Sequence, residues 1–505
     1  MKRMYGRMIA FIVSFAVLTS CTQEEIIEPA APLQPDMENR HRLVEETERT
    51  IYTPEEFSES FIKTIQMYTL IMGMDLGGDG SSSGLSIDSE DLEKLIGSFV
   101  EMNYRILGLK FVNEYHLGFN FVKQNFTYRS VRANGDSATF SGSVIYPAPA
   151  SGVHTLDGIC LLHAYANADN NSIPSKIYDI FDIRAIYNQA LVFSDTEGFG
   201  ADFGSYVPYF DGFAKGRQTV DAAIAAKEIL DRKNIRFSRD YYSENIGVSL
   251  GGNAALGTQK YLESDQCPHW VEEEVLPDFS TFATDCPSSI SGVFDYYCMH
   301  DTLFFPFTVP MMVSTMYAQN PEIENEFSYT DFFDEHINDR KVRNSNNVKV
   351  GELDCFFQTL SSLTRMFTTF QTYKGVMRNF MNHSLFTEDG TLDRSKKRIK
   401  LLYSSLEKSE ISNGWTPSHP LLMTHSTEDN VIPFSTAQAT MDVFERHNGN
   451  AVLIPTQGVH ITSSCISLIV SSVLPRPSRT INVSLLKDYD ISDILLKLQQ
   501  LTDNM

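Results

Sequence analysis

A serine, an aspartate and a histidine stand in this chain where nucleophilic chemistry on a carbonyl would need them. Ser249 sits in Gly247-Val248-Ser249-Leu250-Gly251-Gly252, between the strand-like Asn245–Val248 and a helical run over Asn253–Leu262. A strand that turns directly into a helix at a serine strains that residue's backbone and brings neighbouring chain close. Positions two residues to either side must then be nearly without side chains. Asp429 lies in Thr424-His425-Ser426-Thr427-Glu428-Asp429-Asn430-Val431-Ile432-Pro433, behind a buried apolar run. His460 closes Gln457-Gly458-Val459-His460 behind another. Of the 12 histidines, His460 alone lies both beyond Asp429 and after a strand end, whereas His447 lies on a helix end. A free serine hydroxyl is a poor nucleophile at neutral pH. An imidazole can take its proton, and a carboxylate can orient that imidazole and stabilise the cation it becomes. The oxygen that turns negative during attack needs preorganised N–H donors. The expected donors are Leu250 and one amide in the loop His163-Ala164-Tyr165-Ala166, Ala164 or Tyr165. Taken singly, Ser249 reads equally well as a helix cap and Asp429 as a turn residue; their order with His460 separates the two readings.

The elements that must hold these residues have their own patterns. Alternation begins at Phe126, with Asn134-Gly135-Asp136 as a hairpin turn and a second strand over Ala138–Tyr146 ending at Pro147. The continuous apolar runs Gly158–His163, Ala190–Ser194, Leu421–His425 and Ala451–Pro455 have the character of parallel strands buried on both faces. Asp221–Leu230 is an alanine-rich helix before the serine. These readings make an α/β fold with a mostly parallel central sheet and an antiparallel N-terminal hairpin. Asp429 and His460 fall at strand C-terminal ends, where such sheets place their sites. Residues 263–410 are rich in aromatics and methionine, with few strand signals, and read as a helical cap inserted into the sheet. Thr53-Pro54-Glu55-Glu56 carries the cap, first-turn proline and returning glutamate of a helix start. With Asp88–Leu107 it predicts an N-terminal helical appendage over 53–110. The core then spans 111–262 and 411–475, and a tail follows over 476–505.

From about Phe126 to Ser471 the chain resembles secretory lipases and related esterases of the α/β-hydrolase superfamily. The serine turn, the acid and the histidine occur in that superfamily's order. Ser194-Asp195-Thr196-Glu197-Gly198-Phe199-Gly200 is similar to the family's Asp-x-x-Gly-x-Gly segment, and Trp415-Thr416-Pro417-Ser418-His419-Pro420 to the segment before its acid strand. The resemblance implies an acyl-ester hydrolase with a lid between the sheet strands. The loop Ala164–Ser175 departs from it, being polar with Asn167, Asp169, Asn170 and Asn171 where lipases have glycines. Asp195, Glu197 and His163 read as structural residues near the site.

Lys2, Arg3 and Arg7 precede an apolar run over Met8–Leu18 that is too short to span a bilayer comfortably. The run ends in Leu18-Thr19-Ser20-Cys21, which resembles the lipobox of bacterial lipoproteins, whose cysteine is acylated. Residues 1–20 are thus expected to be a signal peptide and Cys21 a lipid anchor. Residues 21–52, acidic and punctuated by Pro29, Pro32 and Pro35, are expected to be a tether. The expected location is the cell envelope, at the outer membrane, with a lean toward surface exposure. The formal charge is −23 at pH 7, or −26 without the three signal cations. So acidic a chain repels phosphate backbones and anionic lipid, which excludes nucleic acid as a partner and leaves membrane attachment to the acyl group. The cysteines have no zinc-like spacing, and the chemistry requires neither metal nor cofactor. Cys267 with Cys286 is the pair to test first for a disulfide, and Cys160 reads as a buried free thiol.

The expected partner is a small-molecule or glycan-linked ester, cleaved through an acyl-enzyme. Rivals are a polysaccharide acetyl or feruloyl esterase, a peptidase of the same fold and, in a different class, a surface glycan-binding lipoprotein.

Overall fold

Short runs of β-branched and apolar residues, buried on both faces, can satisfy their backbones only inside a sheet covered by helices. The computed structural model describes residues 40–53, 56, 119–149, 154–163, 188–202, 204–299, 308–333, 381–389, 391–460 and 463. Cys21, Ala164 and Tyr165, the second appendage helix and the C-terminal tail lie outside them.

The described strands are β1 (Leu43–Tyr52), β2 (Phe119–Val131), β3 (Ser137–Pro149), β4 (His154–His163), β5 (Gln189–Ser194), β6 (Ile235–Val248), β7 (Phe279–Thr284), β8 (Leu421–Ser426) and β9 (Ala451–Thr456). They form one nine-stranded sheet in the order β1-β2-β3-β5-β4-β6-β7-β8-β9. β1, β2, β3 and β5 pair antiparallel in turn, and every pairing from β5 to β9 is parallel. After β4 the chain goes first to β5 on one side and then to β6 on the other. The order therefore reverses at β4/β6, and the crevice beyond their C-terminal ends is where an open sheet of this kind takes ligands.

Helix α1 (Gly212–Arg232) precedes β6 and α2 (Leu250–Leu262) follows it. The two cross through glycines: a Cβ on Gly257 would lie 1.8 Å from the carbonyl oxygen of Gly212. Helices α3 (His269–Glu274), α4 (Ile290–Met299), α5 (Thr308–Gln319), α6 (Lys397–Lys408) and α7 (Phe434–Arg446) complete the described set. No helix among the described residues is long and apolar enough to cross a membrane.

Three expectations change. The segment expected to be tether to residue 52 contains β1, which pairs with β2. Arg42 fastens its start to α1 through Asp221 at 2.7 Å, and its amide donates to Glu228 at 2.6 Å. Next, the span 263–410 is not all cap, because Phe279–Thr284 is a fully buried strand between β6 and β8. The insertion proper begins after it, with α4, and returns with α6. Finally, Cys267 and Cys286 are both free and buried, one in the cluster under α1 and the other in that around β7, β8 and α7. Cys160 is buried and in no disulfide, as expected. Two runs prove longer than read, β6 and α1, and at the appendage the Thr53 hydroxyl accepts from the Glu56 amide at 3.2 Å while the Thr53 amide donates back to the Glu56 carboxylate at 2.9 Å.

The cap packs on the sheet's C-terminal edge by apolar and polar means together. Its cluster of Phe294, Tyr297, Met316, Tyr317 and Phe332 also takes in Leu250 from α2 and Val431 and Ile432 from the loop after β8. Below it, Asp211 caps α1 at Ala214 and accepts from Gln319 of α5 at 2.6 Å. Gln319 in turn joins Ser405 and Ser409 at the end of α6. Glu410 caps α4, accepting from the amides of Ile290 at 3.0 Å and Ser291 at 2.8 Å.

Candidate active site

The turn between β6 and α2 has the conformation its glycines require. Ser249 has φ 54° and ψ −123°, in the left-handed region that side chains other than glycine seldom adopt. The surroundings hold it there: its amide donates to the Thr284 carbonyl at 2.9 Å, and its carbonyl accepts from Asn253 at 3.3 Å. A Cβ on Gly247 would lie 2.1 Å from the Gly251 carbonyl oxygen, and one on Gly252 2.4 Å from the Cys286 Cβ. Strain of this type costs about 1–3 kcal/mol and persists only where packing over-determines the backbone.

Asp429 is set by its own loop. Its Oδ1 accepts from the amides of Val431 and Ile432, both at 2.7 Å, which leaves Oδ2 to face His460 Nδ1 at 2.6 Å. With Nδ1–H donating to the carboxylate, His460 Nε2 is the acceptor for the Ser249 hydroxyl, at 2.9 Å. The three side chains expected from sequence thus converge, across 211 residues of chain between Ser249 and His460. Burial is graded along the line: the Asp429 side chain is inaccessible, His460 nearly so, and Ser249 half-buried. Burial alone would raise the Asp429 carboxyl, but the imidazoles of His460 and His425 outweigh it and hold the group well below the usual carboxylate range.

Of the expected oxyanion donors, Leu250 begins α2, in the turn whose N–H groups have no intrahelical carbonyl to bond. His163 ends β4, with Nε2 at 2.7 Å from Asn245 Oδ1, and burial pushes its pKa down to about 4. It is therefore neutral near pH 7 and structural, as read. Asp195 accepts from Ser141 at 2.6 Å and Glu197 from the Ala133 amide at 2.7 Å, so both brace loops beside the sheet. Burial raises the Glu197 carboxyl well above its ordinary value.

Two neighbours escaped the sequence reading. Asp285, at the end of β7, is buried, and its Oδ1 accepts from the Ser426 amide at 2.8 Å and the Ser463 hydroxyl at 3.2 Å. His425, at the end of β8, is buried, and its Nε2 donates to the Ile432 carbonyl at 2.8 Å. The available signal was position: an aspartate directly after a buried strand, and a histidine four residues before the acid on its own strand. Asp285, His425 and Asp429 offer ligand atoms all within 4.8 Å of one another, a spacing that suits a cation. The oxygens named here already accept hydrogens from amides, Ser463 and His460, however, so the set works as a hydrogen-bonded charge cluster.

A second histidine–carboxylate pair lies at the opposite sheet edge. His419, just before β8, places Nδ1 at 2.7 Å from Glu263 and Nε2 at 3.1 Å from Glu272 of α3. Glu263 also accepts from Trp415 Nε1 at 2.7 Å and the His419 amide at 2.8 Å. The segment Trp415–Pro420 is thereby pinned to the end of α2. Burial opposes charge on both partners, yet hydrogen bonding and the opposite charge prevail: Glu263 is held below its ordinary pKa and His419 above its own.

No family model and no curated protein matches the sequence. Solved structures do. A ligand-bound form of the rice cell wall degrading esterase LipA from Xanthomonas oryzae aligns over 90% of this chain and 99% of its own, at 15% identity and TM-score 0.54. A candidate hydrolase from Legionella pneumophila aligns over 85% of this chain and 95% of its own, at 12% identity and TM-score 0.53. Sheet order, strained serine turn and these likenesses agree: the chain has the α/β-hydrolase fold and resembles that superfamily.

Proposed function

We propose that the protein is a serine hydrolase that cleaves carboxylic esters through an acyl-enzyme on Ser249. The observation that carries this reading is His460, which bridges the Ser249 hydroxyl at 2.9 Å and the Asp429 carboxylate at 2.6 Å. Ser249 Oγ bonds to the ester carbonyl carbon as its proton passes to His460 Nε2. Asp429 stabilises the imidazolium through Nδ1. Collapse of the tetrahedral species breaks the carbon–oxygen bond to the alcohol, which leaves with the proton from His460. Water, deprotonated by the same imidazole, then repeats the attack and frees Ser249. The Leu250 amide and a donor from Ala164 or Tyr165 hold the negative oxygen. No cofactor takes part.

A fluorophosphonate probe tests the reading: it should label the wild-type chain and not Ser249→Ala. Retained glycan binding without any labelling would favour the binding-lipoprotein rival instead. A panel of p-nitrophenyl esters of increasing chain length, beside feruloyl and acetyl-xylan substrates and a peptide, resolves the substrate class. The polar loop Ala164–Ser175 supports short-chain or glycan-linked esters over long lipids. The cell wall degrading activity named for the Xanthomonas oryzae structure gives the polysaccharide arm of that panel its interest.

The same proposal places the chain in the cell envelope, anchored at the outer membrane by an acyl group on Cys21 and facing neutral rather than anionic partners. Incorporation of radiolabelled palmitate, lost in Cys21→Ala, checks the anchor.

A further inference from the structure

The loop after β8 brings more charge to the strand edge than one triad needs. Two carboxylates, Asp285 and Asp429, and two imidazoles, His425 and His460, lie together there, each at most 8% exposed. Two buried carboxylates side by side are costly to ionise unless a cation is close, and burial raises the Asp285 carboxyl above its ordinary value. His460 must be uncharged at rest to accept a proton from Ser249, so it cannot be that cation. Among the described residues, the other titratable groups facing the cluster bring no positive charge: they are Cys286 beside Asp285, Tyr296 on α4 and Glu428 in the loop. His425 remains.

Its geometry suits the part. Nε2 lies 2.8 Å from the Ile432 carbonyl and 3.4 Å from Asp429 Oδ2, while the Ile432 amide donates to Asp429 Oδ1. One ring therefore grips both the acid and the backbone that orients it. Nδ1 is buried with no hydrogen-bond partner among the described residues, and the ring stands within 4.8 Å of an Asp285 oxygen, so its hold on that carboxylate acts through charge. Resting on the triad reading above, we propose that His425 is a positioning residue: an imidazolium between Asp285 and Asp429 that keeps the Asp429 carboxylate in line with His460 and carries the compensating charge while His460 stays neutral. Burial alone would lower the His425 pKa, but Asp429 and Asp285 raise it above its ordinary value, in the direction this role requires.

The test uses the full chain, p-nitrophenyl butyrate and pH profiles of kcat/KM for His425→Gln and Asp285→Asn. His425→Gln should lower kcat about 10–100-fold with KM within about twofold, because the lost group acts on the reacting residues and not on substrate. Removing a positive charge beside the triad should move the acidic limb of the profile up. Removing the Asp285 charge should move that limb down. Opposite shifts support the proposal; shifts of the same sign, or an unchanged profile in His425→Gln, overturn it. Should both variants fail to fold, the histidine side-chain 15N spectrum of the wild-type chain at pH 7 decides, since His425 must show two protonated nitrogens and a neutral ring refutes the role. A wild-type chain that takes no fluorophosphonate would instead refute the triad reading, and the 15N spectrum would still report His425.

Discussion

Strand β8 has a histidine–carboxylate pair at each end, and the two are nearly equal in length. His460 and Asp429 meet at 2.6 Å beyond its C-terminal end, His419 and Glu263 at 2.7 Å before its N-terminal end. What separates them is the third partner. The far nitrogen of His460 faces a half-buried hydroxyl that can give up a proton; that of His419 faces Glu272, a second carboxylate, and is tied as a donor on both sides. A doubly satisfied imidazole has no lone pair to offer. The pair alone is therefore no sign of chemistry, and the two ends should respond differently to the same kind of substitution.

The largest contrast is expected at the reacting atoms. Ser249→Ala or His460→Ala should cost kcat on the order of 10⁶ with little change in Tm, measured on a p-nitrophenyl ester. Asp429→Asn should cost about 10⁴, because an amide presents the wrong hydrogen pattern to Nδ1. At the other end Glu263→Gln should leave the kcat of the folded fraction intact and lower stability by about 3 kcal/mol in urea unfolding, the cost of leaving a buried partner unmatched. A kcat loss there would erase the distinction. His419→Gln sharpens it through pH. Because its folded pKa is raised, the His419 contribution is full below about 6.5 and is lost as pH rises through the folded value. Glu263 is lowered, so its contribution is present above its ordinary carboxylate value and is lost as pH falls through the folded one. The Tm gap between wild type and His419→Gln should accordingly be wider at pH 6 than at pH 9. The smallest effect is expected of Glu410→Gln, about 1 kcal/mol from a weakened cap on α4.

The site was more legible in sequence than the sheet around it. A strained serine turn demands glycine within two residues, and the acid and base must follow buried strands, so both leave short-range marks. β7 leaves almost none: Phe-Ser-Thr-Phe-Ala-Thr is six residues, buried on both faces and without alternation, inside text dominated by helical aromatics. β1 hides for the opposite reason. Leu-Val-Glu-Glu-Thr-Glu-Arg-Thr-Ile-Tyr is an edge strand held by backbone pairing and by ion pairs such as Glu46 with Lys233 at 2.8 Å, so its charged residues read as linker. Missing β7 also hid Asp285, since a residue's place at a strand end is unreadable when the strand itself is. The free Cys267 and Cys286 teach the same limit, for closeness in sequence carried no information about the separate clusters they enter.

The stretch of 211 residues between nucleophile and base has a consequence for how the molecule comes into being. The cap and three strands of the sheet, β7, β8 and β9, are translated between those two groups, so the serine emerges from the ribosome long before His460 does. Contacts of such long range form late in folding. On the proposed mechanism, a chain ending before residue 460 lacks its base, and the competence to react arrives only once His460 joins Ser249 and Asp429.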